Sequence, residues 1–253
     1  MRFPFLQNRK TLWFALMISL TAPVTAYAQG RGGPPPPPRS PKDAAPIDLT
    51  GYWVSVVTED WRFRMVTPPK GDFPDVPLNP AGQAIANSWD PAKDEAAGNQ
   101  CKGYGAPSLM RVPSRYHFTW QDDNTLKIEA DSGKQTRLLH FGGGKPSGAP
   151  SLQGYSAAEW QMSLRRGCTG GSLKVVTTNL SPGYLQKNGV PYSEQTTLTE
   201  YFDVIKESDG EQWLIVKILV EDPAYLARTF LSSPNLKKQR DASGWNPTPC
   251  TVR

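Results

Sequence analysis

Glu200 is the residue in this chain best placed to move a proton. It stands in the row Leu198, Glu200, Phe202, Val204 of a segment that alternates with a period of two. A β-strand over this segment therefore carries one carboxylate on an otherwise apolar face. Withdrawal from water disfavours the ionised carboxylate and suits it to general acid or base work. The same placement has a structural reading, in which Glu200 pairs with an arginine such as Arg137 or Arg228, or its face meets water. Arg137 and His140, on the segment Lys134–Phe141, are the other candidate catalytic groups. His117 and His140 are the two histidines of the chain. Without an H-x-H, H-E-x-x-H or paired-cysteine spacing they predict no metal site, and no motif here implies a cofactor. Gly142-Gly143-Gly144 opens no helix and lacks a G-K-[ST] ending, so it reads as a mobile turn.

Thiol chemistry is the second possibility. The three cysteines are Cys101, Cys168 and Cys250. Cys101 sits in a polar loop and Cys250 near the C-terminus, which favours a Cys101–Cys250 bridge that ties down the tail. Cys168 is then unpaired. Arg165-Arg166 beside it would favour a thiolate, although the neighbouring glycines read as a plain hairpin turn.

Aromatic residues offer a third chemistry. The chain has 8 Trp, 9 Tyr and 9 Phe, and Trp53, Trp61, Trp120, Trp160 and Phe202 fall on expected strands. They read either as core or as the lining of an apolar cup for a small hydrophobic or aromatic molecule. The full chain carries a formal charge of +5. Residues 1–28 read as a signal peptide: Arg2, Arg9 and Lys10 are followed by the apolar Thr11–Ala22 and the small-x-small site Ala26-Tyr27-Ala28. That leader holds three bases and no acid, so its removal brings the charge to +2. The remaining chain makes no charge case for nucleic acid or a membrane surface and has no membrane span. Residues 29–46, with Pro34–Pro38, read as an extended proline- and glycine-rich linker. The expected location is periplasmic or secreted.

The elements that must position these groups are strands. Residues 47–253 read as one domain of nine or ten strands joined mostly by hairpin turns. The clearest pair is Thr196–Ile205 and Gln212–Val220 around Lys206–Gly210. Gly51–Thr58, continued by Trp61–Met65, Ser108–Val112, Arg115–Trp120, Thr125–Ala130, Lys134–Phe141, Ser156–Leu164, Leu173–Leu180 and Arg228–Leu231, the last open to continuation as far as Lys237, complete the set. Ser181–Tyr192 reads as loop. Asn79-Pro80 starts a helix with the stripe Ala81, Ala84, Ile85, Trp89, and Pro91–Ala97 reads as a second. No βα alternation occurs. The expected fold is all-β, an antiparallel up-and-down barrel with a short helical insertion, and a two-sheet sandwich is its rival.

Gly51-Tyr52-Trp53 resembles the G-x-W at the first strand of lipocalins and other calycins, and Thr199-Glu200-Tyr201 resembles a variant of their T-D-Y. That resemblance implies a lipocalin-like barrel whose Trp closes the floor. The order Gly154-Tyr155-Ser156…Trp160, Leu173–Thr178, Asn188–Glu194, Glu200-Tyr201-Phe202 and Val220–Pro223 resembles a set of uncharacterised exported bacterial proteins. It covers most of the chain after Leu49 and implies no activity. His often stands there where this chain has Tyr155 and Tyr192. Three functions fit these observations: a barrel binding a small hydrophobic ligand, an isomerase, dehydratase or hydrolase using Glu200, and a non-catalytic partner in an envelope complex.

Overall fold

The computed structural model describes residues 39–162 and 170–253. The leader 1–28, linker residues 29–38 and Cys168 lie outside the described residues. In chain order the elements are β1 (Gly51–Val56), α1 (Trp61–Met65), α2 (Pro80–Ser88), α3 (Pro91–Ala96), a 3-10 turn (Gln100–Tyr104) and α4 (Ala106–Leu109). Then come β2 (Arg115–Asp122), β3 (Thr125–Ala130), β4 (Gln135–Phe141), β5 (Tyr155–Met162) and β6 (Gly171–Thr178). A small hairpin follows, β7 (Gly183–Gln186) and β8 (Val190–Tyr192), and then β9 (Thr197–Lys206), β10 (Gln212–Glu221), β11 (Phe230–Ser232) and β12 (Asn235–Lys238).

Nine strands close on themselves in the order β10-β12-β1-β2-β3-β4-β5-β6-β9 and back to β10. The fold is an all-β barrel with a short helical insertion. Its strongest ribbon is β9–β10, paired from Gln212↔Lys206 to Glu221↔Thr197, as the alternation on both sides of the turn predicts. β11 and β12 lie along one edge of β10, in one register from Val220↔Phe230 to Trp213↔Lys237. β12 then closes the barrel against β1, with Trp53 opposite Lys238.

One joint departs from the expected up-and-down antiparallel order. β4 and β5 are parallel, with Leu139↔Ser156 and Phe141↔Ala158. A parallel pair needs a connection that returns to the starting end. The glycine- and proline-rich segment 142–154 provides it, tied by a bridge between Ser151 and Leu180.

The interior is filled. Inward residues of the strands, among them Trp53, Phe118, Ile128, Leu139, Phe202 and Val216, have no accessible surface. Side chains without accessible surface border no space that a water molecule could occupy. Trp53 and Phe202 are therefore core packing, and the expected aromatic cup inside the barrel is corrected to a solid core. Trp53 sits in the inward row of β1, its Nε1 donating to Leu49 O at 2.8 Å and the Lys238 ammonium 4.4 Å from its ring.

The ends of the barrel carry the irregular structure. One end is covered by the insertion between β1 and β2 and by the β7–β8 hairpin. Asn79 caps α2, accepting from Gly82 N at 2.9 Å, and Asp90 caps α3, with Pro80 and Pro91 each at a first helical position. The buried face of α2 is Gly82 and Ala86; of the expected stripe Trp89, just past the helix, is buried, while Ala81, Ala84 and Ile85 are exposed. Gly82 explains this: a Cβ there would lie 2.5 Å from Tyr225 O, so only glycine permits that approach.

Two expected strands in the insertion are short helices. Trp61–Met65 turns inward at Asp60, a left-handed residue (φ 50°), and buries Arg64 instead of extending β1. Trp61 is left 67% exposed, which removes it from any barrel lining. Ser108–Val112 gives way to α4 and a turn: Pro107 has no N–H for a sheet, and Gly105 O accepts from Ser108 N and Leu109 N. Conversely, the expected loop Ser181–Tyr192 contains β7 and β8 around the turn Asn188-Gly189.

Cys101 and Cys250 form the expected disulfide, with their Cα atoms 5.1 Å apart across 149 residues. A loop of that length corresponds to about 5 kcal/mol of chain entropy removed from the unfolded state, an upper figure. Cys250→Ser is expected to lower unfolding free energy by about 2–5 kcal/mol in urea titrations of the oxidised proteins. An unchanged urea midpoint would contradict that role.

Candidate functional site

Glu200 and Arg137 meet inside the barrel. Both side chains are 0% exposed and ion-paired through Glu200 Oε2 and Arg137 Nη2. Strand alternation puts them there: Arg137 is on the inward row of β4 with Leu139, and Glu200 on that of β9 with Leu198 and Phe202. Arg137 also donates from Nε to Ser156 Oγ at 3.0 Å and from Nη2 to Thr177 Oγ1 at 2.7 Å. The two hydroxyls lie 2.8 Å apart. A polar chain therefore runs across β4, β5, β6 and β9. Arg137 Nη1 and Glu200 Oε1 have no partner, and neither residue borders a water-sized space.

His140 does not join them. It is on the opposite face of β4 and stacks on Tyr155, ring centroids 5.1 Å apart with planes 9° apart. His117 likewise stacks on Tyr52 on the outside at 4.0 Å, with Nδ1 3.5 Å from Glu129. Of the three candidate catalytic residues the fold thus joins two and separates the third. No group of three metal-ligating side chains gathers among the described residues.

The other candidate residues divide by depth. Trp120 and Trp160 stand on the inward rows of β2 and β5 at the end of the barrel away from the helices, where they are only partly buried. Phe141, from the inward row of β4, completes a cluster: ring centroids are 5.5 Å apart for Trp120–Phe141, 5.3 Å for Phe141–Trp160 and 6.5 Å for Trp120–Trp160. Sequence reasoning passed over Phe141, although the alternation Arg137, Leu139, Phe141 signals it.

A strap of residues 39–48, most of it assigned by composition to the linker, lies across this end. Trp160 Nε1 donates to Pro41 O at 2.7 Å and Lys42 N to Asp123 O at 3.2 Å. Between strap and barrel is a cavity of about 680 Å³, bordered by Ile47, Trp120, Val204, Asp48, Lys42 and Lys206. Asp48 is occupied by Thr50, accepting from its N at 2.9 Å and its Oγ1 at 2.7 Å. Burial raises the Asp48 pKa, but these hydrogen bonds and the charges of Lys238 and Lys206 outweigh burial and hold it below the ordinary carboxylate value.

The buried pair makes a clear demand on stability. Glu200→Gln strands the Arg137 charge in the core and is expected to cost about 3–5 kcal/mol. In Arg137→Met/Glu200→Leu the Ser156 and Thr177 hydroxyls still bond each other, and most of the loss is recovered. Urea unfolding of the three proteins checks this; a double variant no more stable than Glu200→Gln would refute it.

No family model, no curated protein and no solved structure matches this chain, so its function is read from the side chains themselves.

Proposed function

We propose that the protein is an exported, non-catalytic barrel that binds a small hydrophobic or aromatic molecule at the strapped end, against Trp120, with Phe141 and Trp160 packed behind it. One observation carries this reading: Trp120, one ring of a partly buried three-ring cluster, borders a cavity of about 680 Å³ together with Ile47 and Val204. That volume lies within the range of small-molecule sites, about 300–1,000 Å³. A packed interior leaves the barrel end as the place where an apolar ligand can be covered without displacing core. Aromatic faces offer such a ligand large contact area and offset stacking. Lys42 and Lys206 at the rim are exposed, and Trp120, Ile47 and Val204 supply the apolar wall. Glu200, walled in beside Arg137, has no space for a substrate, which favours binding over turnover.

Export belongs to the same proposal. The leader-like residues 1–28 support it, and the Cys101–Cys250 bridge suits an oxidising compartment. Mass spectrometry of protein recovered from the periplasmic or secreted fraction is expected to give an N-terminus at Gln29. An intact Met1 in that fraction would refute cleavage.

The binding reading is tested by intrinsic tryptophan fluorescence, titrating fatty acids, sterols and aromatic hydrocarbons. A saturable change is expected with at least one class. Trp120→Ala should weaken it about tenfold or more, since a lost ring contact of 1.4 kcal/mol has that effect. A flat response across the panel would overturn the proposal.

A further inference from the structure

The opposite end of the barrel holds a second cavity, of about 260 Å³, built from residues that the reading above does not use. Arg64 of α1 and Arg111 after α4 line it with Gln186, the last residue of β7, and Lys187. The Arg64 side chain is 2% exposed. Its Nε donates to Arg111 O at 2.7 Å and its Nη1 to Glu59 Oε1 at 2.7 Å, while Nη2 is buried with no partner. Gln186 is 5% exposed and neither its Oε1 nor its Nε2 has a partner. A register irregularity between Tyr184 and Gln186 accompanies this placement, and Leu185 and Gln186 are buried in succession. Such bulges re-aim side chains. Burying an amide and a guanidinium N–H without partners costs free energy, so their presence at one cavity calls for a polar occupant.

Charge defines the occupant. Arg64 is paired with Glu59, and Arg111 with Asp60 at 3.2 Å. Lys187 donates to two hydroxyls, Tyr104 at 2.6 Å and Thr251 at 3.3 Å, and has no carboxylate partner among the described residues. Arg253 borders the cavity as well. At least one positive charge is therefore in surplus. Burial lowers the Arg111 pKa; Asp60 opposes this, and the neighbouring Arg64 charge adds to it. An anion here would relieve the crowding of like charges. Phe63, Val112 and Leu185 supply apolar wall. The volume exceeds a benzene-binding cavity of about 150 Å³.

We infer that this cavity binds a small organic monocarboxylate, the carboxylate facing Arg64 and the hydrocarbon against Phe63, Val112 and Leu185. On binding, the terminal torsions of Arg64 and Gln186 turn to bring Nη2 and Nε2, closed off from solvent in this structure, onto the carboxylate. Gln186 Oε1 remains to accept from a hydroxyl next to the carboxylate, so a 2-hydroxy acid is the better ligand.

Isothermal titration of the whole protein with phenylacetate, mandelate and the neutral benzyl alcohol tests this. Both acids are expected to bind one to one and the alcohol not at all. Gln186→Leu is the principal variant, because its amide holds no protein group and its loss should leave the fold unchanged. It should weaken mandelate about tenfold, the effect of losing 1.4 kcal/mol of hydrogen bonding. Arg64→Met should abolish binding of both acids, and Trp120→Ala should leave it unchanged, which separates this cavity from the strapped end. Failure of both acids to bind, equal binding of the alcohol, or undiminished binding to folded Gln186→Leu and Arg64→Met would each overturn the inference.

Discussion

The constraint on which this barrel turns is the ion pair between Arg137 and Glu200. Two charges taken wholly out of water carry a desolvation penalty of several kcal/mol each, and mutual attraction offsets it only with good geometry and added hydrogen bonds. Ser156 and Thr177 supply those bonds, one from each strand lying between the pair. The chain of four side chains spans the parallel β4–β5 joint, where the pairing runs only from Leu139 to Phe141. Slipping a strand by one residue turns its inward row outward. At this joint a slip would leave Glu200 or Arg137 buried alone, a larger penalty than misplacing a leucine. The charges thus select a register that hydrophobic packing alone specifies weakly.

With its interior committed to packing, the molecule has its usable surfaces at the two ends. They differ because different segments cover them. At one end a strap of backbone crosses over Trp120 and Val204, with Lys42, Asp48 and Lys206 around them. At the other, Arg64 and Arg111 are drawn in by an insertion in which α2 and α3 are each capped by an Asn or Asp followed by proline. Tyr116 fastens that insertion to the barrel, its hydroxyl 2.6 Å from Leu109 O and 2.7 Å from Val112 O with its one proton between the two carbonyls, and burial pushes its phenol pKa well above the ordinary value.

Much of the barrel was legible in the sequence because a period of two is a local signal. β9 and β10 announce themselves through Leu198, Phe202, Leu214 and Val216, and Asn79-Pro80 announces α2. The bridge followed from the positions of Cys101 and Cys250. What local pattern could not reveal was direction: a stretch such as 142–154 reads as loop whether it turns back or crosses the barrel. It also could not separate Trp61 from Trp120. Both sit in alternating runs, and only the burial of Arg64 by distant Arg111 O decides that the first run coils. The interior was misjudged for a related reason. Inward aromatic residues describe a cup or a core equally well, and the outcome depends on how nine rows of side chains fill a shared volume.

The seam between β1 and β12 links residues near the two ends of the domain, Val56 with Asn235 and Trp53 with Lys238. A chain emerging from the ribosome therefore presents β1 with one flank of its backbone amides and carbonyls unmated until nearly the whole domain has been made. Through that interval the ribbon is open to pairing with a neighbouring nascent chain. The architecture thus places its main folding hazard at birth, and in the finished molecule the same seam has become a sealed wall.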